Sequence, residues 1–322
     1  MDAYTDFAQV YDELMDDTPY EEWCEFLLEI FCRYGVDDVS LNDGNVINGG
    51  REKDADTGAK GEASADDMNG ALESTQRNLA QERNTILDLG CGTGTLTELL
   101  ARKGYDMIGV DNAQEMLQIA MEKRERSGLD ILYLLQDMRE LELYGTVGTV
   151  ISICDSLNYL LEEEDIVRTF ERVNNYLYPQ GLFLFDFNTV YKYAVVIGDA
   201  TIAENREDCS FIWENYYHEE QEVNEYDLTV FVAEGRGEKG SEADGRTAGE
   251  GRSERFRRFQ EVHYQRGYRL EQMKALLLRA GLEFLEAFDA DTHGEVREES
   301  ERIYVAARKG TDTVANQSVN GR

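Results

Sequence analysis

The residues most suited to chemistry cluster in four short stretches. In ILDLGCGTG, at 86–94, an apolar run that reads as a strand enters three glycines, Gly90, Gly92 and Gly94. GVD stands at 109–111, QDM at 136–138 and CDSLNYL at 154–160. A glycine turn between strand and helix lets a ligand approach backbone atoms and offers it helix N-terminal N–H groups. Acids at the ends of successive parallel strands collect at one edge of a sheet, where open α/β sheets bind their ligands.

The glycine spacing separates two cofactor chemistries. A dinucleotide turn reads G-x-G-x-x-G, its last glycine allowing close helix packing beside a pyrophosphate. Here the pattern is G-x-G-x-G, and Thr95 stands where that glycine belongs. Asp88, two residues before the first glycine, would repel a pyrophosphate. It suits a positively charged ligand such as S-adenosylmethionine (SAM), which carries an ammonium and a sulfonium. Asp111 has the position of an acid that accepts from ribose hydroxyls. Asn112 with Glu115 has the spacing of a helix capping box, so it is either a ligand or a cap. Asp137 could accept from an adenine amine, with Met138 against the ring. Asp155, Ser156, Asn158 and Tyr159 form a polar cluster after the apolar run VISI. Helix capping would account for Asp155 and Ser156, and accounts less well for Asn158 and Tyr159.

These stretches need a framework. Apolar spacing predicts helices within 4–34, interrupted at Thr18-Pro19 and ended by Gly35. Strands are expected at 84–89, 106–110, 131–135, 147–153 and 181–187, with helices from 113 and from about 163 between them. That alternation argues for a parallel sheet covered on both faces. Between 208 and 266 the aromatic-rich FIWENYYHE, NEYDLTVFVAE and RFRRFQEVHYQRGY read as antiparallel strands. A helix around Leu270–Ala280 and two closing strands follow. The segments 42–83 and 234–254 are polar and Gly-rich, with little to bury, and read as mobile insertions. The division expected is a helical cap at 1–41, the insertion at 42–83 and a cofactor core at 84–190. A lid at 191–266, a closing helix and strands at 267–309, and a tail at 310–322 complete it.

Composition bounds the partners. The chain has 322 residues and a formal charge of −34, which disfavours nucleic acid and anionic lipid surfaces. Five scattered cysteines without a CxxC pair favour reduced thiols and a cytoplasmic location. No apolar run is long enough to span a bilayer, and the acidic N-terminus does not read as a signal peptide. No His/Cys/Asp cluster has metal-ligand spacing. Three histidines, 218, 263 and 293, are candidate general bases. His263 has the strongest case, before the closing helix on the lid, with a hydrogen-bonded structural role as the alternative. His293, in DTHGE, reads as solvated.

YTDFAQVYDELM, ILDLGCGTGTLTELLARKGYDMIGVDNAQEML, LQDMRELEL, ICDSLNYLL and EVHYQRGYRLEQMKALLLRAGLEFLEAF together resemble class I SAM-dependent methyltransferases of a bacterial small-molecule type. The resemblance implies a Rossmann-like, doubly wound, mostly parallel seven-stranded sheet with N-terminal helices and a small antiparallel lid. It implies that Gly90, Gly92 and Gly94 line the methionine end of SAM, with Asp88 and Cys91 beside them. Asp111 would hold ribose, with Asn112 and Met116 alongside, and Gln136, Asp137 and Met138 would surround adenine. Cys154 and Asp155 would lie beneath the sulfonium, and Tyr11 would close over the cofactor. His263, Tyr159 and Asn158 are the candidates for handling the acceptor. The expected activity is methyl transfer to a small molecule. The competing readings are a non-catalytic SAM-binding protein, a protein methyltransferase and, on the glycine turn alone, a nicotinamide oxidoreductase.

Overall fold

The computed structural model describes residues 7–36, 82–234 and 255–310. The expectations for 1–6, nearly all of 42–83, almost all of 234–254 and the tail beyond 310 fall outside the described residues.

Two helices lead: α1 (Ala8–Leu14) and α2 (Tyr20–Tyr34). The break between them falls at Thr18-Pro19, and Gly35, in a left-handed conformation, ends α2 as expected. The core then alternates through β1 (Thr85–Leu89), α3 (Thr95–Arg102), β2 (Asp106–Asp111) and α4 (Gln114–Ser127). It continues with β3 (Ile131–Leu135), β4 (Val147–Ser152), α5 (Glu163–Tyr176) and β5 (Leu177–Asn188). A second sheet comprises β6 (Thr201–Asn205), β7 (Cys209–His218), β8 (Val223–Ala233) and β9 (Phe256–Arg266). The chain returns to the core with α6 (Leu270–Arg279), β10 (Leu282–Asp289) and β11 (Arg302–Lys309).

The large sheet has seven strands in the order β10-β11-β5-β4-β1-β2-β3. Strands β5, β4, β1, β2 and β3 run parallel, while β11 pairs antiparallel with both neighbours. Every residue of β1 is buried, as a central parallel strand covered on both faces requires. Alternate side chains divide between two cores. Leu87 and Leu89 join Phe170, Phe183 and Phe185 on the α5–α6 face, while Ile86 joins Ile30, Leu100 and Met107 on the α2–α3 face. The Phe183 and Phe185 rings lie 4.8 Å apart.

The second sheet is antiparallel, in the order β6-β7-β8-β9. Its edge strand β6 is exposed throughout and carries no alternating pattern, so sequence periodicity passed over it. A π-helical turn, Lys192–Ile197, precedes it and also went unread. Helix α1 bridges the two sheets. Val10 packs with Leu228 and Val230 of β8, while Ala8 and Tyr11 pack with Ala113, Met116 and Ile119 beside α4. Phe211 and Trp213 belong to that same packing, so these aromatics of β7 fill the α1–sheet contact.

Candidate active site

The carboxyl ends of β1, β2, β3 and β4 converge on a cavity of about 560 Å³, roofed by Tyr11, Tyr20 and Trp23 from α1 and α2. Gly90, Gly92 and Gly94 all have left-handed backbones, with φ of 83°, 53° and 74°. At Gly94 a side chain is impossible without rearrangement: a Cβ there would lie 2.3 Å from the Tyr133 hydroxyl. The same ring closes on Gly109 of β2, where a Cβ would meet it at 2.6 Å. Tyr133 thus fills the space that both glycines leave.

Asp88 and Asp111 stand at the ends of adjacent strands, and both line the cavity. Asp88 is 3% exposed and accepts a 2.6 Å hydrogen bond from Thr97. Burial pushes its carboxyl up to about 7. Asp111 accepts from the backbone N–H of Gly92 and of Ala113, each at 2.8 Å, and burial raises its carboxyl also. These bonds fix the glycine turn and the start of α4. They also correct the capping expectation: Ala113 is the N-cap residue and Asp111 takes its N–H, which leaves Asn112 lining the cavity.

Cys91, Met116, Gln136, Asp137 and Met138 line the cavity as well. Gln136 closes its loop by exchanging hydrogen bonds with the backbone of Glu142. Arg139 binds both oxygens of Asp137 and holds that carboxyl below the usual range. An adenine amine would therefore share Asp137 with a guanidinium.

The turn after β4 is held under strain. Cys154 and Asp155 both have positive φ, 70° and 53°, which non-glycine residues rarely adopt. Asp186 of β5 compensates by accepting the N–H groups of Cys154 (3.1 Å) and Asp155 (2.7 Å). Cys154 lines the cavity, and burial raises its thiol to about 12, so it stands there as a neutral group. Asp155 points away from the cavity, toward Arg302 (2.7 Å) and the Gln265 amide (2.7 Å). Arg302 also pairs with Asp186 at 3.5 Å and lies over the Trp23 ring. Asp155 therefore anchors the turn and is not a cavity wall.

The acceptor candidates separate in the same way. Tyr159 lines the cavity. Asn158 is fully buried and donates to the backbone of Asn188 and Arg266, while its oxygen accepts the Asn188 N–H. It ties the β4 turn to β5 and β9, and its side chain does not reach the cavity. His263 sits behind Tyr159, with Nδ1 3.3 Å from the Tyr159 hydroxyl. His218 pairs with Glu225 at 2.8 Å. His293 is stacked on Phe26 at 3.9 Å, which corrects the expectation that it is solvated. Arg266 reaches the Leu161 carbonyl at 3.0 Å and lies 3.8 Å from Glu163.

Sequence reasoning missed Tyr20 and Trp23 because their spacing matches a helix core stripe. It also missed Arg302 and Asp186. The acid in LFLFDFN was the available signal, since a carboxylate inside an apolar strand requires a partner. No helix among the described residues is long and apolar enough to cross a membrane, and no metal-holding cluster occurs among them.

The cavity's chemistry fits SAM, with two carboxylates on the glycine side and an apolar wall at Met138. Comparison with known proteins agrees. Residues 86–181 match a methyltransferase domain model. A "Putative methyltransferase" of Geobacillus sp. (strain WCH70) is 33% identical over 95% of this chain and 100% of its own. "Putative methyltransferase YqeM" of Bacillus subtilis (strain 168) is 31% identical over 97% of this chain and 99% of its own. The crystal structure of a SAM-dependent methyltransferase from Clostridium acetobutylicum ATCC 824 superposes with a TM-score of 0.69 at 25% identity. It covers 96% of this chain and 100% of that one. The G-x-G-x-G turn is accordingly a SAM turn rather than a nicotinamide one, and the chain belongs to the class I SAM-dependent methyltransferases.

Proposed function

We propose that the enzyme methylates a small molecule, bound between the Cys154 turn and the aromatic roof of α1 and α2. The observation that carries this reading is the cavity itself. It is a cleft bounded by Tyr11, Tyr20 and Trp23 on one side and by four strand ends on the other, and it suits a compact acceptor better than a macromolecule. SAM supplies a methyl group already activated by its sulfonium. Asp111 would hold the ribose hydroxyls, Asp137 and Met138 the adenine, and the glycine turn with Asp88 the methionine end. Cys154 would form the wall on the methyl side. The protein's work is then to orient the acceptor and exclude water, which orientation and electrostatics can supply. Tyr159 is the polar group nearest to that task, with His263 behind it. Five free thiols favour a cytoplasmic setting.

Parallel calorimetric titrations with SAM, S-adenosylhomocysteine and NADH test the cofactor side. Labelled SAM with the protein-free, small-molecule filtrate of a cell extract tests the acceptor side. Binding of both sulfur nucleotides and appearance of a small labelled product are expected. Labelling only of protein in a whole extract would overturn the small-molecule reading.

A further inference from the structure

We infer that Glu261, His263 and Tyr159 form a proton-accepting chain that serves an amine acceptor, and that Glu261 joins this chain to the N-terminal helix. The inference rests on the methyl-transfer reading above and adds the class of acceptor.

Glu261 and His263 alternate on β9 and face the same side, both buried, at 8% and 4% exposure. Glu261 Oε2 lies 3.3 Å from His263 Nε2. His263 Nδ1 lies 3.3 Å from the hydroxyl of Tyr159, which lines the cavity. Glu261 meets Nε2 at ion-pair distance, without hydrogen-bond geometry, and its negative charge favours the tautomer with the proton on Nε2, which leaves Nδ1 to accept from Tyr159. The second oxygen of Glu261 accepts the backbone N–H of Phe7, at the start of α1, at 3.0 Å. One carboxylate therefore stands against the imidazole and pins the helix that carries Tyr11 over the cavity.

Such a chain has a use only if the acceptor arrives with a proton to lose. Carboxylates do not. The walls favour a cation among the remaining acceptors. Tyr11, Tyr20, Trp23 and Tyr159 present aromatic rings, and burial keeps the Tyr11 and Tyr20 hydroxyls neutral. Arg139 is the one cation among the described lining residues, and it is bound to Asp137. Arg302, beyond Trp23, is neutralised by Asp155 and Asp186. Electron-rich rings attract an ammonium group. In the step inferred, the ammonium gives one proton to the Tyr159 oxygen while the Tyr159 proton moves to His263 Nδ1. The imidazolium so formed is paired with Glu261. The freed nitrogen lone pair makes the N–C bond as the donor's C–S bond breaks, and that electron pair stays on sulfur. The products are the methylated ammonium and S-adenosylhomocysteine.

The experiment combines NMR of the folded enzyme with product analysis. Nitrogen-15 spectra of the three imidazoles should show His263 with its proton on Nε2, and E261Q should mix the tautomers. A wild-type proton on Nδ1 overturns the chain, and this readout needs neither a variant nor turnover. With labelled SAM and a protein-free extract, the methyl group should appear on nitrogen. H263A and Y159F should lose turnover by about a hundredfold, a usual value for lost acid–base catalysis. Their SAM affinity should stay within about twofold, and imidazole should restore H263A. A methyl group on oxygen or sulfur, or wild-type turnover in both variants, overturns this inference and leaves methyl transfer standing. SAM binding with no labelled product at all removes the methyl-transfer reading, and this inference with it.

Discussion

Lys123 of α4 reaches Asp12 of α1 at 2.6 Å and bonds the hydroxyls of Thr93 and Thr95 in the glycine turn. Asp12 in turn accepts from Thr93 at 2.6 Å. The cofactor turn and the helix above it are thus fastened at one point. The pair is partly exposed, so its contribution to global stability is no more than about 1 kcal/mol. Its effect should be local. K123M should speed amide exchange in α1 and weaken SAM binding several-fold, with little change in melting temperature. Unchanged exchange in α1 would show that the apolar contacts of Val10 and Tyr11, with the Glu261–Phe7 bond, suffice to hold the helix.

Asp111 serves two purposes, holding the glycine turn and facing the cavity. D111A should lose at least tenfold in SAM affinity by calorimetry. It should also melt a few degrees lower, because the Gly92 and Ala113 N–H groups lose their acceptor. A variant that melts lower but binds SAM normally would confine Asp111 to the turn.

The Asp88 carboxyl, raised by burial from 3.8 to about 7, should make SAM binding depend on pH. If the carboxylate form holds the donor's ammonium, affinity should fall as pH drops below about 7, by up to about tenfold per unit. The stability sign is opposite. The folded state binds this proton more tightly, so its contribution is complete below pH 3.8 and is lost as pH rises through about 7. D88N should therefore melt higher than wild type at pH 8, by up to about 4 kcal/mol in stability, while binding SAM poorly. Equal melting at pH 8 would show that the native carboxyl is better compensated than its burial suggests.

Removing Arg302 leaves Asp155 and Asp186 facing each other with no cation between them. R302M should destabilise the fold by roughly 3 kcal/mol or more at pH 8. The loss should shrink toward pH 5, because Asp186, raised by burial to about 6, then takes up a proton. Chemical denaturation at the two pH values measures the difference, and an equal loss at both would exclude charge as its cause.

Much of the cofactor framework was legible because it rests on short-range rules. The β1 glycines, the strand-end acids and the helix stripes are each local in sequence, and the parallel sheet follows from their alternation. What escaped depends on long-range pairing. Asn158 reads by type and position as an acceptor ligand, and its amide is taken up by Asn188 and Arg266, 30 and 108 residues away. Asp155 looked like a cavity acid, yet Arg302 and Gln265 draw it aside. Strand β6 lacks the period-2 pattern because neither of its faces is buried.

Tyr133, seated in the hollows of Gly94 and Gly109, makes two separate sequence motifs answer to one ring. Substitutions at the two glycines should be far from additive, since either one already displaces the tyrosine and the second meets space made vacant. A smaller residue at 133 would remove the shared clash at both positions, while the left-handed backbone of Gly94 would still favour glycine there. Among distant relatives residues 109 and 133 should therefore change as a pair, while position 94 stays glycine for its backbone.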